Sequence, residues 1–320
     1  MVNLTRAEFL KLSLLAVAAT VVNKRALSGE PVVRKRKRIP VIHATDLYHF
    51  HNDPDDHWDL ATLYALAFSG DIDLLGILYD YPVKPGSDPD VMGVAMMNHI
   101  TGLVVPGVVG TPYPMKNRND IQPEADPRAH QGIQWLLETL RRAESPVVIN
   151  VVGSATSVAV AFKKEPSLFA RKCRAIYLSA GSAYGLEDQK LEYNVKLDPL
   201  AFAALFDAPS PVYWMPCFAR TNIGEVAEFG SYYRFTEKEI LFDLPRRVQN
   251  FFLFMREKKP SHEWFTYLNS DPDLKLLTGF GESVRSMWST AGFLHTVGKT
   301  VTPDGNVVPS GSAGNEVFSF

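Results

Sequence analysis

The sequence predicts an α/β fold: a mostly parallel central sheet with helices on both faces, followed by a helical C-terminal portion. Two observations carry this expectation. Short, nearly continuous apolar runs alternate with helical patterns through the first two thirds of the chain, which is how strands buried on both faces and their covering helices read. Acidic and glycine-containing segments fall where the apolar runs end, and open α/β sheets form their ligand sites beyond the carboxyl ends of their strands.

The strand candidates, in order, are Val41 to Thr45, Leu74 to Tyr79, Val104 to Val109, Val147 to Val152, Ala175 to Ser179 and Pro211 to Pro216. Between them, apolar residues recur at helical spacing over Leu60 to Phe68, Val91 to Thr101, Gly132 to Ala143, Ser157 to Lys164 and Pro199 to Phe206. Gly110-Thr111-Pro112 and Gly153-Ser154 close two of the strands as loops. After Thr221 the texture changes: Glu237 to Lys258 and Ser283 to Val297 read as helices. The chain divides into an export signal over 1–30, a basic linker over 31–39, one domain over 40–302 and a turn-rich tail over 303–320.

A length of 320 residues is enough for a full core, and 46% hydrophobic with 21% charged residues describes an ordinary globular chain. The net charge of −2 gives no reason to expect a nucleic-acid partner. The basic run Arg34 to Arg38 reads as a solvated linker. Ahead of it, Arg6 and Lys11 precede the apolar stretch Leu12 to Val22, and small residues follow at Ala26-Leu27-Ser28. That is the layout of a signal peptide, and the apolar run is shorter than the ~20 residues that span a bilayer. Thr5-Arg6-Ala7-Glu8-Phe9-Leu10-Lys11 resembles a twin-arginine signal with one arginine missing. The expectation is export to the periplasm or beyond, with no stable membrane span in the mature chain. Cys173 and Cys217 are too few for a disulfide framework and read as small buried hydrophobes.

The densest signal is acidic. Asp46, Asp53, Asp55, Asp56 and Asp59 place five carboxylates within fourteen residues, between the first strand and the first helix. One helix dipole, worth roughly 0.3–1 kcal/mol per charge, does not offset their repulsion. A hard cation such as Ca²⁺, which takes about 6–8 oxygen ligands, would. The competing reading is a solvated loop that caps the helix. Tyr48, His49, Phe50, His51 and Trp58 enrich the same stretch in rings that would line a pocket or cover the helix edge.

Further blocks follow in order: Ile72-Asp73-Leu74-Leu75-Gly76-Ile77, Val105-Pro106-Gly107-Val108-Val109-Gly110, Val152-Gly153-Ser154-Ala155-Thr156-Ser157, Leu178-Ser179-Ala180-Gly181-Ser182 and Glu192-Tyr193-Asn194-Val195-Lys196-Leu197-Asp198-Pro199. Together with Thr45-Asp46 and Asn52-Asp53-Pro54-Asp55-Asp56, they resemble the nucleoside hydrolase family of inosine–uridine preference over roughly residues 40 to 220. The resemblance implies a Rossmann-like sheet and hydrolysis of an N-glycosidic bond, with a bound Ca²⁺ holding the attacking water and the ribose hydroxyls. Carried over, it makes Asp46, Asp56 and the carbonyl of Val152 candidate metal ligands and Asp55 the candidate general base. Asn52, Asp53, Asp59, Glu192 and Asn194 are candidate substrate contacts, and Asp53 or Asp59 is an alternative for either aspartate role because Leu47 to His51 are inserted in the loop. The substrate class is a nucleoside or sugar conjugate; assembly into a homo-oligomer is left open.

The chain departs from the family in two places. The late His-Asp pair expected at the start of a C-terminal helix is replaced by Met287-Trp288-Ser289-Thr290-Ala291, with His295 further on as a core or surface histidine. The Gly-Pro-Leu-Thr-Asn turn becomes Gly153-Ser154-Ala155-Thr156-Ser157. Two other functions therefore stay in view: a non-catalytic sugar- or ligand-binding protein that retained the aspartates, and a hydrolase recruiting a transition metal through His43, His49, His51 and His57.

Overall fold

Six parallel strands form the central sheet in the order β3-β2-β1-β4-β5-β6. The computed structural model describes residues 38–47, 54–80, 91–182, 191–217, 232–257, 261–302 and 307–310. The export signal, nearly all of the basic linker and residues 48–53 of the acidic loop, Asn52 and Asp53 included, lie outside the described residues. Along the chain come β1 (Ile39–Thr45), α1 (Asp55–Ser69), β2 (Ile72–Tyr79), α2 (Val91–Thr101), β3 (Gly107–Val109), α3 (Gln131–Arg142) and β4 (Val147–Val151). They are followed by α4 (Thr156–Lys164), α5 (Pro166–Lys172), β5 (Cys173–Ser179), α6 (Tyr193–Leu197), α7 (Pro199–Leu205) and β6 (Val212–Met215). The C-terminal portion holds β7 (Tyr233–Thr236), α8 (Lys238–Leu241), α9 (Arg246–Arg256), α10 (Trp264–Asn269), α11 (Leu274–Gly281), β8 (Val284–Met287), α12 (Thr290–Thr296), β9 (Lys299–Val301) and β10 (Val307–Pro309). Among the described residues no helix is long and apolar enough to cross a membrane.

Strands that are apolar at successive positions can be buried on both faces, and here they are. Val41, Ile77, Tyr79, Val148 and Tyr177 face a core made with α1, α2, α9 and α12. Ile42, Leu78, Ile149, Val151 and Leu178 face a second core made with α3, α4, α5 and α7. Gly70, at φ 82°, ends α1 in the left-handed region, its N–H donating back to Ala67 and Leu66, as glycine does at helix ends. Trp58 is 1% exposed and packs at 4.1 Å from Phe252 and edge-on to Phe235 at 5.2 Å. It is a core residue, worth ~1.5–3 kcal/mol or more in burial. His57 is buried edge-on to Phe251 in the same core. Both cysteines are buried, and neither forms a disulfide among the described residues.

Three expectations need correction. Only Gly107–Val109 of the third strand pairs with β2. Before it, the Asn98 side chain takes the strand's place, donating to Val105 O and accepting from Val105 N, both at 2.9 Å. The helix expected over Glu237 to Lys258 is split into α8 and α9, since Pro245 has no N–H for an unbroken ladder. Val284–Met287, expected as helix, is a strand antiparallel to β7, and the helix begins only after Ser289. Tyr193–Leu197 is a short helix whose start Glu192 caps. A fully buried carboxylate, Glu237, secures the C-terminal portion by pairing with Arg256 and, at 2.8 Å, with Arg285 Nε. Removing either arginine would leave charge buried without its full counterpart.

His43 sits in the middle of β1, opposite Ile77 and Asn150 in register, and edge-on to Phe293 at 5.8 Å. It is fully buried, and burial pushes its pKa down to about 3 from 6.5. A depressed histidine pKa contributes stability that is present above 6.5 and is lost as pH falls toward 3. Between pH 6.5 and 4.5 this one group should remove on the order of 2–3 kcal/mol. We expect His43→Leu to lose less stability than wild type over that interval, as measured by urea unfolding at both pH values. Equal losses would show that His43 is not buried neutral.

Candidate active site at the carboxyl ends of β1, β2 and β4

The chain runs outward from β1 to β3 and returns to β4 on the other side of β1. The strand order therefore reverses between β1 and β4, and the carboxyl ends of strands at such a reversal are where open α/β sheets place their ligand sites. Asp46 follows β1, Asp80 follows β2, and Gly153-Ser154 follow β4 at this edge. Because Thr45 pairs with Tyr79 in register, the next residue of each strand is an aspartate, and Asp80 N donates to Thr45 O at 2.9 Å. Ser154 N in turn donates to Asp80 Oδ2. From the start of α1, Asp56 Oδ1 accepts the Thr45 hydroxyl at 2.9 Å.

Gly153 is pressed into this arrangement. A Cβ at that position would collide with Asp80 Oδ2 and with the backbone N of Asp46. A glycine is needed here because no side chain fits between two loops this close.

Asp46, Asp56 and Asp80 are all buried. Burial raises the pKa of Asp56 well above the usual carboxylate value, and the charges of Asp46, Asp55 and Asp59 raise it further against the Thr45 hydrogen bond. Asp80 is raised in the same way by burial and by Asp46, against the Ser154 N–H. The Tyr193 hydroxyl, raised first by burial, also feels Asp46, Asp80 and Asp56. Asp46 is thus the common neighbour of the group. Taking protons off together is what such a cluster resists unless a positive charge enters it.

The donors available are all oxygens: the three carboxylates and the Val152 carbonyl at the end of β4. In kind they fit a hard cation such as Ca²⁺. Among the described residues no set of three or more side chains is already arranged to hold one. What supports a cation is the mutual charge of the buried aspartates.

Of the residues singled out from sequence, Asp46, Asp56 and half-buried Asp55 come together at this edge. Asp59, one turn along α1, is 2% exposed and turned to the C-terminal portion, where Ser289 Oγ donates to its Oδ2. Asn194 Nδ2 donates to Val152 O and Ser179 O, both at 3.1 Å, and so ties the ends of β4 and β5 together beside the aspartates. Glu192 holds backbone: it accepts from Gly181 N at 2.6 Å, Asn194 N at 3.0 Å and Val195 N at 3.3 Å. His43 and His57 lie in the aromatic core, so they form no metal centre with each other at this edge. His295 is exposed and shares a 2.7 Å hydrogen bond with Tyr177.

Sequence reasoning missed Asp80, Tyr193 and Ser289. Asp80 carried a signal: like Asp46, it directly ends a buried strand. Tyr193 and Ser289 lay in stretches already singled out, Glu192 to Pro199 and Met287 to Ala291, but which of their side chains approach the aspartates depends on how the C-terminal portion and the β5–α7 connection fold back.

A family model described as inosine-uridine preferring nucleoside hydrolase matches residues 49–239. The chain belongs to the nucleoside hydrolase family. Curated relatives include the pyrimidine-specific ribonucleoside hydrolase RihA of Salmonella typhi and of Salmonella agona, each 28% identical over 91 residues. That match spans 28% of this chain and 29% of each relative's length. Among solved structures, a purine-preferring ribonucleoside hydrolase from Gardnerella vaginalis is 17% identical with a TM-score of 0.49, over 84% of this chain and 88% of the other. A plant nucleoside hydrolase is 15% identical with a TM-score of 0.49, over 81% of this chain and 78% of the other.

Burial pushes the Asp59 pKa up to about 7 from 3.8, partly offset by Ser289. A raised carboxylate pKa means that stability is fully present below 3.8 and is lost as pH rises through about 7. Asp59→Asn substitutes a neutral group that can still accept from Ser289. In chelator, urea unfolding should find the variant close to wild type near pH 4 and more stable at pH 8, by up to ~4 kcal/mol. A variant less stable than wild type at pH 8 would mean that Asp59 is ionised in the fold.

Proposed function

We propose that the protein hydrolyses the N-glycosidic bond of a ribonucleoside or a related sugar conjugate at the Asp46–Asp56–Asp80 edge. The observation that carries this reading is the meeting of those three buried carboxylates at the switch point of the sheet, in a chain of the nucleoside hydrolase family. Asp46, Asp56, Asp80 and the Val152 carbonyl would hold the cation, Ca²⁺ being the expected ion. A bound divalent ion lowers the pKa of a coordinated water and anchors sugar hydroxyls.

The protein's own groups then divide the work. Asp55, half-buried at the first position of α1, takes the proton of the attacking water. The surrounding carboxylates stabilise the positive charge that develops on the sugar as the base leaves. Asn194 and Glu192 keep the wall beside Val152 in place, with Asn194 the nearer to the sugar. Asn52 and Asp53, from the same loop as Asp55, are proposed as further sugar contacts.

A binding protein without turnover is the second reading, and one observation favours it. The segment where the family's His-Asp pair is expected presents Ser289, and its hydroxyl is engaged with Asp59. We further propose that the chain is exported after cleavage behind its apolar N-terminal run, so that N-terminal sequencing of exported protein begins well after Met1.

A release assay across purine and pyrimidine ribosides separates the two readings. The hydrolase reading expects turnover by wild type that is lost in chelator. It also expects a fall of about 10²–10⁴-fold in Asp55→Asn with the fold retained by circular dichroism. Equal rates in wild type and variant would remove Asp55 as the base. Sugar binding by wild type with no release from any riboside would establish the binding-protein reading.

A further inference from the structure

The acidic edge is connected to a further aspartate that belongs to none of its loops. Asp198, between α6 and α7, is 2% exposed. Its Oδ1 accepts from Ala201 N at 3.0 Å, which caps α7. Its Oδ2 accepts from Met115 N and from the Thr156 hydroxyl, both at 2.8 Å. Thr156 has one hydroxyl proton, and it goes to Asp198. The 2.7 Å contact between Thr156 Oγ1 and Ser154 Oγ must therefore be donated by Ser154. Ser154 Oγ also accepts from Thr156 N at 3.3 Å, so both hydroxyls have a defined direction. The Ser154 backbone N–H is then presented to Asp80 Oδ2.

A helix cap needs only the Ala201 contact. The other oxygen of Asp198 gathers the loop after β3 and the turn after β4, and the turn after β4 has no slack. Gly153 is held between the Asp80 carboxylate and the Asp46 backbone so closely that no Cβ fits. The turn therefore lies against both aspartates, the carboxylate of Asp80 and the backbone of Asp46.

We propose that Asp198 is a positioning residue for the active site, acting through Thr156 and Ser154 to set where Asp80 stands beside Asp46. This rests on the reading of Asp46 and Asp80 as the floor of the site. Outer hydrogen bonds of this kind commonly change metal affinity or activity by 10–100-fold when removed.

Thr156→Val tests the proposal. It deletes the hydroxyl at nearly constant volume and leaves the Asp198 contacts to Ala201 and Met115 in place. Thr156→Ser is the rescue, and Asp273→Ala, which removes the cap of α11 far from this edge, is the control for general destabilisation. The first readout is the Ser154 amide proton in the full chain without metal, followed by NMR. A hydrogen bond to a carboxylate holds this proton downfield. We expect it to move upfield in Thr156→Val, return in Thr156→Ser and stay put in Asp273→Ala. The second readout is Ca²⁺ titration by calorimetry, with affinity expected to fall about 10–100-fold in Thr156→Val and to recover in Thr156→Ser. An unmoved Ser154 amide in Thr156→Val overturns the proposal, as does a shift of the same size in Asp273→Ala. If wild type takes up no Ca²⁺, the metal reading fails, and the amide alone still decides the role of Asp198.

Discussion

The structure of the active edge depends on keeping like charges together out of water. Asp46, Asp56 and Asp80 are each less than a tenth exposed, and Asp46 raises the pKa of both others. Isolated carboxylates are rarely buried because desolvation disfavours the ionised form. Three of them at one point would ordinarily protonate or push the loops apart. Two of them have fixed donors, Thr45 for Asp56 and Ser154 for Asp80, which favour the ionised form against burial. Those donors belong to the strands and turns of a sheet packed on both faces, so the site takes its geometry from the core. A chain can maintain such an arrangement where a cation is to enter, since the same repulsion that disfavours the apo state favours binding.

The same constraint explains the close packing around the site. Gly153 brings the β4 turn against two aspartates, Asn194 joins the ends of β4 and β5, and Glu192 organises the start of α6 with three backbone contacts. Each holds a loop at a height that the strands alone leave undetermined. Asp59 marks the opposite boundary of the acidic stretch. It faces Ser289 at the start of α12, and burial pushes its pKa up to about 7.

Much of this fold was legible in the residues. Apolar runs located all six sheet strands, and helical spacing located α2 to its exact ends, because local pattern and tertiary burial demand the same thing there. Where they diverge, the reading failed. Val104 lies 93% exposed because Asn98 replaced a neighbouring strand for Val105, a contact no periodicity reports. Val284–Met287 became a strand because β7 offered an edge to pair with. Asp46, Asp55 and Asp56 could be read as a site from their density. Trp58 and His57 could not be sorted from them, since a ring next to an acidic loop looks the same whether it faces a pocket or Phe252. Asp80 carried the same strand-end signal as Asp46, but bringing the two together took the register of β1 against β2, which only the folded sheet supplies.

Thermal unfolding with and without Ca²⁺, at pH 5 and at pH 8, tests the central claim most directly. Mutual repulsion of buried carboxylates grows as they ionise, so an ion that relieves it should stabilise the fold more at the higher pH. The account predicts that Ca²⁺ raises the melting temperature at pH 8, raises it less at pH 5, and does neither in Asp46→Asn. A melting temperature unmoved by Ca²⁺ at pH 8, or moved equally in Asp46→Asn, would contradict it.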